Sequence, residues 1–548
     1  MRLLILSLEL LLAPFGVLLV ALIFNVIRGT LSRLAKHAML RAVPGPPRKS
    51  FLTGDLHDLY GVDGLPHLEA LSLYGGIAKV HGLFGDVLLT VSDPRALAHI
   101  LVNDVQKFPA LDVSGTYDMH RYLMGPGLLA TNGSAHRRQR KILNPAFSIS
   151  QIRGLAPLMR EISVQLRDLI IDDVTSGVQV GSQESKLQEI DIAEWLGRAA
   201  LDFVGRCGFG HDFHALQGDA DTYVHAVKDM IPTIASLGSM ITLFVVSGGS
   251  RLPPRLLRFM GQTASIISPS LSHLMHIVDS MWGEMDAIWQ AHKATHKEGR
   301  EDMQAVLLDV LLDAKEGSVS DSEAIGQCTT LVMAGAETTS TALCRILLLL
   351  SEHVSVQDRL RKEITQALSE EGEDGNGLGY DALMALPLLD AVCKETLRVF
   401  APAPLRNRRC IAESVVPFAD GSTVHIPAGT EVLINIHGVN TNKDIWGADA
   451  KVWRPERWLE PLPQSVADAN MPGLYANMLT FLAGPKGCIG LNFSLLEMKT
   501  VLATLIPLLE FRSPTELEIK WRFGQTVTPS VKGDKGLNPR MPLQIQVI

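Results

Sequence analysis

Ten residues near the carboxyl end, Phe481-Leu482-Ala483-Gly484-Pro485-Lys486-Gly487-Cys488-Ile489-Gly490, place a cysteine in a glycine-rich loop that opens an amphipathic helix beginning around Leu491. The helix N-terminus, the loop amides and Lys486 favour thiolate over thiol there, and a thiolate is the form that ligates a metal. Glycines at 484, 487 and 490 let the backbone approach a flat ligand. The remaining cysteines (Cys207, Cys328, Cys344, Cys393, Cys410) form neither Cys-x-x-Cys nor a Cys/His cluster at zinc spacing, so each reads as a small buried hydrophobe. Three further groups bear chemistry. Glu395 and Arg398 lie three apart on a helix and can pair, although such a pair alone is an ordinary solvated face. Ala334-Gly335-Ala336-Glu337-Thr338-Thr339 interrupts an apolar helix with a glycine that costs about 1 kcal/mol relative to alanine, which suggests that something needs room beside the backbone. Thr338 either serves that neighbour or bonds the carbonyl one turn back. His136 and Arg140, one turn apart in Gly133–Lys141, can face a single anion.

In order and spacing these segments resemble the cytochrome P450 family. Phe481, Gly484, Cys488 and Gly490 match its haem-binding signature F-x-x-G-x-x-x-C-x-G, and Glu395-Thr396-Leu397-Arg398 matches E-x-x-R. Trp453-Arg454-Pro455-Glu456-Arg457-Trp458 resembles its P-E-R segment, and Ala334–Thr339 resembles A/G-G-x-D/E-T. The resemblance covers essentially the whole chain after residue 47. It implies the mainly α P450 fold, one large helical domain with small β-sheets, and haem b held through its iron by Cys488. Phe481, Gly484, Lys486 and Gly490 then surround the haem. A Glu395-Arg398-Arg457 triad locks the cysteine loop, Gly335 leaves room for dioxygen, and Glu337 and Thr338 relay protons. Propionates fall to His136, where the family usually has Trp, to Arg140, and to Arg408, whose neighbours Arg406 and Arg409 leave that assignment open by one or two residues. Lys486 stands where Arg is common and Leu482 where a small residue is common.

The implied activity is a monooxygenase that inserts one oxygen atom from O2 into a lipophilic small molecule, in secondary metabolism such as terpenoid biosynthesis, since the motifs look similar to fungal members. Pocket walls are implied at 113–129, 331–339, 401–406 and 525–528. No G-x-G-x-x-G strand-helix unit supplies a flavin or nicotinamide site. Electrons must therefore come from elsewhere, and the resemblance implies NADPH as their source through NADPH-cytochrome P450 reductase, with cytochrome b5 as an alternative donor. Arg137, Arg138, Lys141 and Lys486 form its landing patch or are plain solvated charges. Two rivals are a P450-fold isomerase or dehydratase without oxygen activation, and a non-catalytic haem carrier or sensor.

The elements that must position these residues follow from pattern. With 548 residues, 47% of them hydrophobic, the chain can bury a large core, and a net charge of -8 gives no global basic field for nucleic acid. Leu3–Ile27 is almost wholly apolar and long enough for one transmembrane helix, with a cleaved signal as the alternative. Arg28, Arg33, Lys36 and Arg41 follow it against Arg2 before it, which places the body in the cytosol, at the endoplasmic reticulum membrane by resemblance. The chain thus divides into an anchor over 1–27, a basic and proline-rich linker over 28–47 ending in Val43-Pro44-Gly45-Pro46-Pro47, and a catalytic domain over 48–548. Hairpins are predicted over 77–91 and 424–435. Helices are predicted over 155–171, 303–315, 322–351, 356–369, 381–399 and 493–509. The apolar run 230–246 either dips into a membrane surface or is a buried helix.

Overall fold

Helical periodicity decides most of the architecture. The computed structural model describes residues 29–548 except 62–63, 112–117, 177–186, 219–221, 239, 242–243, 245–253, 299–304, 315–318, 371–376 and 525. The anchor predicted over 1–27 lies outside the described residues, as do parts of the predicted pocket segments 113–129 and 525–528. The apolar run from Ser322 folds as a central helix, Asp321–Glu352, capped by the Ser320 hydroxyl accepting the Glu323 N–H. Its length and hydropathy would suffice to cross a membrane. Instead it packs inside the protein between helices Ile192–Phe209 and Pro269–Lys297. Helices Ala156–Ser176 and Val354–Glu370 also form as predicted.

Three helices depart from prediction. The single helix predicted over 381–399 is two, Tyr380–Ala385 and Pro387–Val399, because Pro387 has no N–H and forces Leu386 into extended backbone at φ -64°, ψ 113°. The cysteine helix is Leu491–Leu505, and Leu509 already begins a strand. The helix predicted over 303–315 is limited, among the described residues, to Val306–Leu312.

Strands β1 (Ile77–His81) and β2 (Val87–Val91) form the predicted hairpin, with Ile77 opposite Val91. β3 (Gln188–Asp191), β11 (Pro542–Val547) and β8 (Leu509–Arg512) make a second sheet, and β9 (Ile519–Phe523) pairs with β10 (Val527–Val531). The hairpin predicted over 424–435 does not exist. β6 (Thr423–Ile426) pairs with β5 (Ser414–Pro417), whereas β7 (Glu431–Asn435) lies between β2, parallel, and β4 (Leu405–Arg409), antiparallel. Gly429, at φ +84°, turns the chain from one sheet to the other. Val432, Leu433 and Ile434 are all buried, as befits a strand covered on both faces, and that run says nothing about which strands flank it.

One hydrophobic cluster joins the cysteine loop to the helices around Val392, Ile346 and Val501; a second gathers Leu128, Val204, Met281 and Leu308. The candidate site lies along the seam between them. Part of the 230–246 run follows the buried-helix reading: it continues helix Thr222–Ser236, where Met230 and Thr233 are buried.

Gln357 ties the end of the central helix to β8. Its Nε2 donates to Leu350 O and Phe511 O, and its Oε1 accepts the Phe511 N–H. Gln357→Leu should destabilise by about 1–3 kcal/mol for each orphaned group. Thermal unfolding checks this, with the haem spectrum unchanged.

Candidate active site

The loop carrying Cys488 is shaped by its own backbone. The Cys488 N–H donates to Phe481 O at 2.9 Å, Leu482 N–H to Leu479 O at 2.7 Å, and Leu474 N–H to Leu482 O at 3.1 Å. Leu482 takes φ 57°, a left-handed conformation that costs a non-glycine residue on the order of 1–3 kcal/mol. Gly484, at φ 62°, leaves no space for a side chain: a Cβ there would stand 2.1 Å from Leu101 O. One on Gly487 would stand 2.3 Å from Leu474 Cδ1, whereas one on Gly490 would meet nothing within 4 Å. Gly484 and Gly487 therefore serve packing of the loop against protein, and only Gly490 faces open space.

The Cys488 thiol is accessible, yet from inside the protein: it opens on an internal cavity of about 360 Å³. Burial pushes it up, against the Gly490 N–H and the charges of Arg140 and Arg406. This corrects the expectation of a thiolate prepared by the helix terminus and Lys486. Lys486 turns its Nζ to the carbonyls of Leu128 and Thr131. A bound metal cation is the remaining means of drawing the proton off. Among the described residues no three His, Cys, Asp or Glu side chains converge on a metal point, so the sulfur suits a metal that brings most of its own ligands.

The predicted triad is assembled and buried. Arg398 donates to both Glu395 oxygens at 2.9 and 2.7 Å, and Arg457 Nε reaches Glu395 Oε1 at 3.2 Å. Trp458 Nε1 and the Arg454 N–H complete the carboxylate's shell. Arg398 also donates to Asn440 O and Ala450 O. Asn440, unnoticed in the sequence, carries the network to the loop: its Oδ1 accepts the Leu479 N–H and its Nδ2 donates to Thr480, whose hydroxyl donates to Leu397 O.

One wall of the cavity is cationic. His136, Arg140, Arg406, Arg408 and Lys486 all line it, and no Asp or Glu does among the described residues. Arg409 does not line it, which narrows the open assignment to Arg406 and Arg408. Burial and mutual repulsion bring Lys486 down to about 7 and Arg408 to about 10. His136 is driven by burial, then by Lys486, Arg140 and Arg408, to about 3. The imidazole is thus neutral and acts as a hydrogen-bonding group, not as the cation predicted. Arg408 Nε is buried without a partner. Cations on a wall that holds no carboxylate among the described residues, together with the orphaned Arg408 N–H, are what two carboxylates of a ligand would satisfy, and a reachable sulfur on the same cavity fits haem b. Of the predicted landing patch, Lys486 is turned inward and Arg138 is paired with Glu323 at 2.5 Å; Arg137 and Lys141 remain on the surface.

The facing wall is the central helix. Ala334, Gly335 and Thr338 line the cavity. A Cβ on Gly335 would meet Val204 Cγ2 at 2.6 Å, so close packing against helix Ile192–Phe209 also demands this glycine. Thr338 Oγ1 donates to Ala334 O at 2.8 Å, the alternative left open by the sequence. Glu337 stands behind the cavity wall, not in it. Burial raises its carboxyl, opposed by a hydrogen bond with Thr526 and the charge of Arg406. Glu497, also missed, is buried in the cysteine helix beside Thr339 and held well above the usual carboxylate range by desolvation. An acid within the apolar stretch Leu495–Leu502 was the available signal.

The cytochrome P450 family model matches residues 44–534. Cytochrome P450 monooxygenase 91 of Postia placenta is 36% identical over 545 residues, covering 95% of this chain and 96% of its own. A ganoderic acid synthetase of Ganoderma lucidum is 35% identical, covering 92% and 94%, and a cytochrome P450 of Hericium erinaceus is 32% identical, covering 92% and 93%.

Glu395→Gln leaves buried Arg398 without its carboxylate and Arg457 with only the half-buried Asp449, a loss of about 3–5 kcal/mol. Haem content per protein and the unfolding midpoint should both fall. Gly484→Ala should abolish haem incorporation, read by the ratio of haem to protein absorbance, because the clash is with backbone.

Proposed function

The chain belongs to the cytochrome P450 family and is a cytochrome P450 monooxygenase, and we propose that it oxidises a terpenoid or similarly lipophilic secondary metabolite with Cys488 as the haem ligand. One observation carries the site assignment: the buried, reachable thiol shares its cavity with a cluster of cations and, among the described residues, no carboxylate. Haem b, bound there, supplies the redox chemistry that cleaves dioxygen and transfers one of its atoms.

The protein's own groups do the rest. Arg140, Arg408 and Lys486 hold the propionates by charge-assisted hydrogen bonds, and neutral His136 donates an N–H. Leu331, Ala334, Val204 and Phe209 give the substrate an apolar, water-poor wall. Thr338 sits at that wall with its proton on Ala334 O, leaving its lone pairs to the cavity. Glu337 retains a proton higher into the pH range than an ordinary carboxylic acid and can yield it through Thr338 after the hydroxyl turns. The carboxyl is replenished past Thr526.

Electrons reach the site from NADPH by way of NADPH-cytochrome P450 reductase or cytochrome b5, for which Arg137 and Lys141 remain as surface cations. The apolar stretch over 1–27 anchors the chain in the endoplasmic reticulum membrane with the catalytic domain over 48–548 in the cytosol. Exposed Phe51 and Leu52 just after the linker, and Phe259, Ile266 and Ile267, rest on the bilayer surface. The terpenoid reading draws on the relative named for ganoderic acid synthesis.

Incubation with a reductase, NADPH and a panel of terpenoids, fatty acids and aromatic polyketides should yield a product heavier by one oxygen. Turnover indifferent to NADPH would instead favour an isomerase or dehydratase. Thr338→Val and Glu337→Gln should each lower product formation by about 100-fold or more while NADPH consumption persists. The raised carboxyl works in its protonated form, so wild-type product yield should fall as pH rises through its pKa, and Glu337→Gln should lose that limb of the profile.

A further inference from the structure

The segment that follows the apolar stretch is not a free tether. Residues 29–39 form a helix, and at about 3.6 residues per turn its two faces differ. One face is docked. Leu40, just past the helix, is fully buried in the main hydrophobic cluster, and Val43 joins it there. Lys36 is buried, pairs with Asp86 at the turn of the β1–β2 hairpin, and donates to Gly429 O, between β6 and β7, at 3.5 Å. Asp86 is itself held to β2, accepting the Val87 N–H at 2.9 Å. Further along, Pro44 O accepts the Lys79 N–H at 2.7 Å, Lys79 Nζ donates to Arg41 O at 3.3 Å, and a Cβ on Gly45 would stand 2.6 Å from Lys79 O. The proline-rich segment is thus seated on β1. Phe51 and Leu52 are fixed at the same hairpin turn, where their carbonyls accept the Gly85 and Phe84 N–H groups at 3.0 and 3.1 Å. A buried lysine must keep its carboxylate, so this arrangement admits few alternatives.

The opposite face of the helix is apolar and open. Leu31 and Leu34 are 62% and 63% exposed, and Ala38 is exposed on the same side. A helix of a soluble domain turns such leucines inward, and here the inward side belongs to Lys36 and Leu40. The apolar stretch ends at Ile27, two residues before the helix, so a chain leaving a bilayer there delivers this face to lipid. Exposed Arg41 and Arg48 follow and suit phosphate headgroups.

We propose that residues 29–52 form a collar seated in the phospholipid interface and fastened to the β1–β2 turn by the Lys36–Asp86 pair, and that this fastening sets the tilt of the catalytic domain on the membrane. This rests on the anchor reading above. Leu31, Leu34, Phe51 and Leu52 enter the interface, and the domain follows the anchor as one body.

The test uses the full-length holoenzyme in phosphatidylcholine bilayers. Leu34→Cys is labelled with an environment-sensitive fluorophore, for which no native cysteine competes, five being buried and Cys488 opening inward. Emission should be lost in bilayers of bromine-substituted lipid and kept in ordinary ones. Haem tilt is read by polarised absorption in oriented bilayers. The wild type and Lys36→Arg should show one fixed tilt, and Lys36→Met and Asp86→Asn should each lose it while keeping their haem. Emission indifferent to bromine overturns the proposal. So does a Lys36→Met variant that keeps the wild-type tilt, or one that loses haem, which would assign the pair to the folding of the domain and not to its attachment. Release of the wild type from membranes by alkaline carbonate is the separate signature of a failed anchor reading, and emission from position 34 on vesicles still judges the interface.

Discussion

A sulfur buried in protein resists losing its proton, and the molecule is organised around overcoming that resistance at one place. Desolvation raises Cys488, and the groups that oppose it, the Gly490 N–H with Arg140 and Arg406, are too few to reverse the balance. With Cys488 as the proposed haem ligand, its ionisation is coupled to binding of the metal. Such coupling requires that the sulfur wait in the right place. The loop achieves this with a left-handed Leu482, a glycine pressed on Leu101 O and a ring of backbone hydrogen bonds.

Rigidity of that loop is borrowed from a charge network with almost no exposure to solvent. Glu395, Arg398 and Arg457 satisfy each other and the carbonyls of Asn440, Trp446, Asp449 and Ala450. Asn440 then reaches Leu479 and Thr480, at the root of the loop. Buried ion pairs are poor sources of net stability, since desolvation offsets the attraction, but they tolerate few alternative arrangements. Here that intolerance fixes the direction of a sulfur. The asymmetry of the cavity follows: cations gather on one wall, while the central helix offers small residues and a hydroxyl on the other.

Features written into one segment were legible in the sequence. The cysteine loop, the Glu395-Arg398 pair with Arg457, and the central helix all depend on local spacing. The break at Leu386–Pro387 was also local, and helical periodicity on both sides masked it. What depends on meeting distant chain was not legible. The partners of β7, the inward turn of Lys486, the neutral state of His136 and the pressure of Val204 on Gly335 all arise from tertiary neighbours. Thr526, which engages Glu337 from near the far end of the chain, has no sequence pattern to announce it.

Everything rests on sulfur ligation, and the spectrum of the reduced, carbon-monoxide-treated holoprotein reports it directly. The account predicts the strongly red-shifted Soret band diagnostic of thiolate ligation, and its disappearance in Cys488→Ser. A fully haem-loaded wild type without that band, or a Cys488→Ser variant that keeps it, would contradict the account.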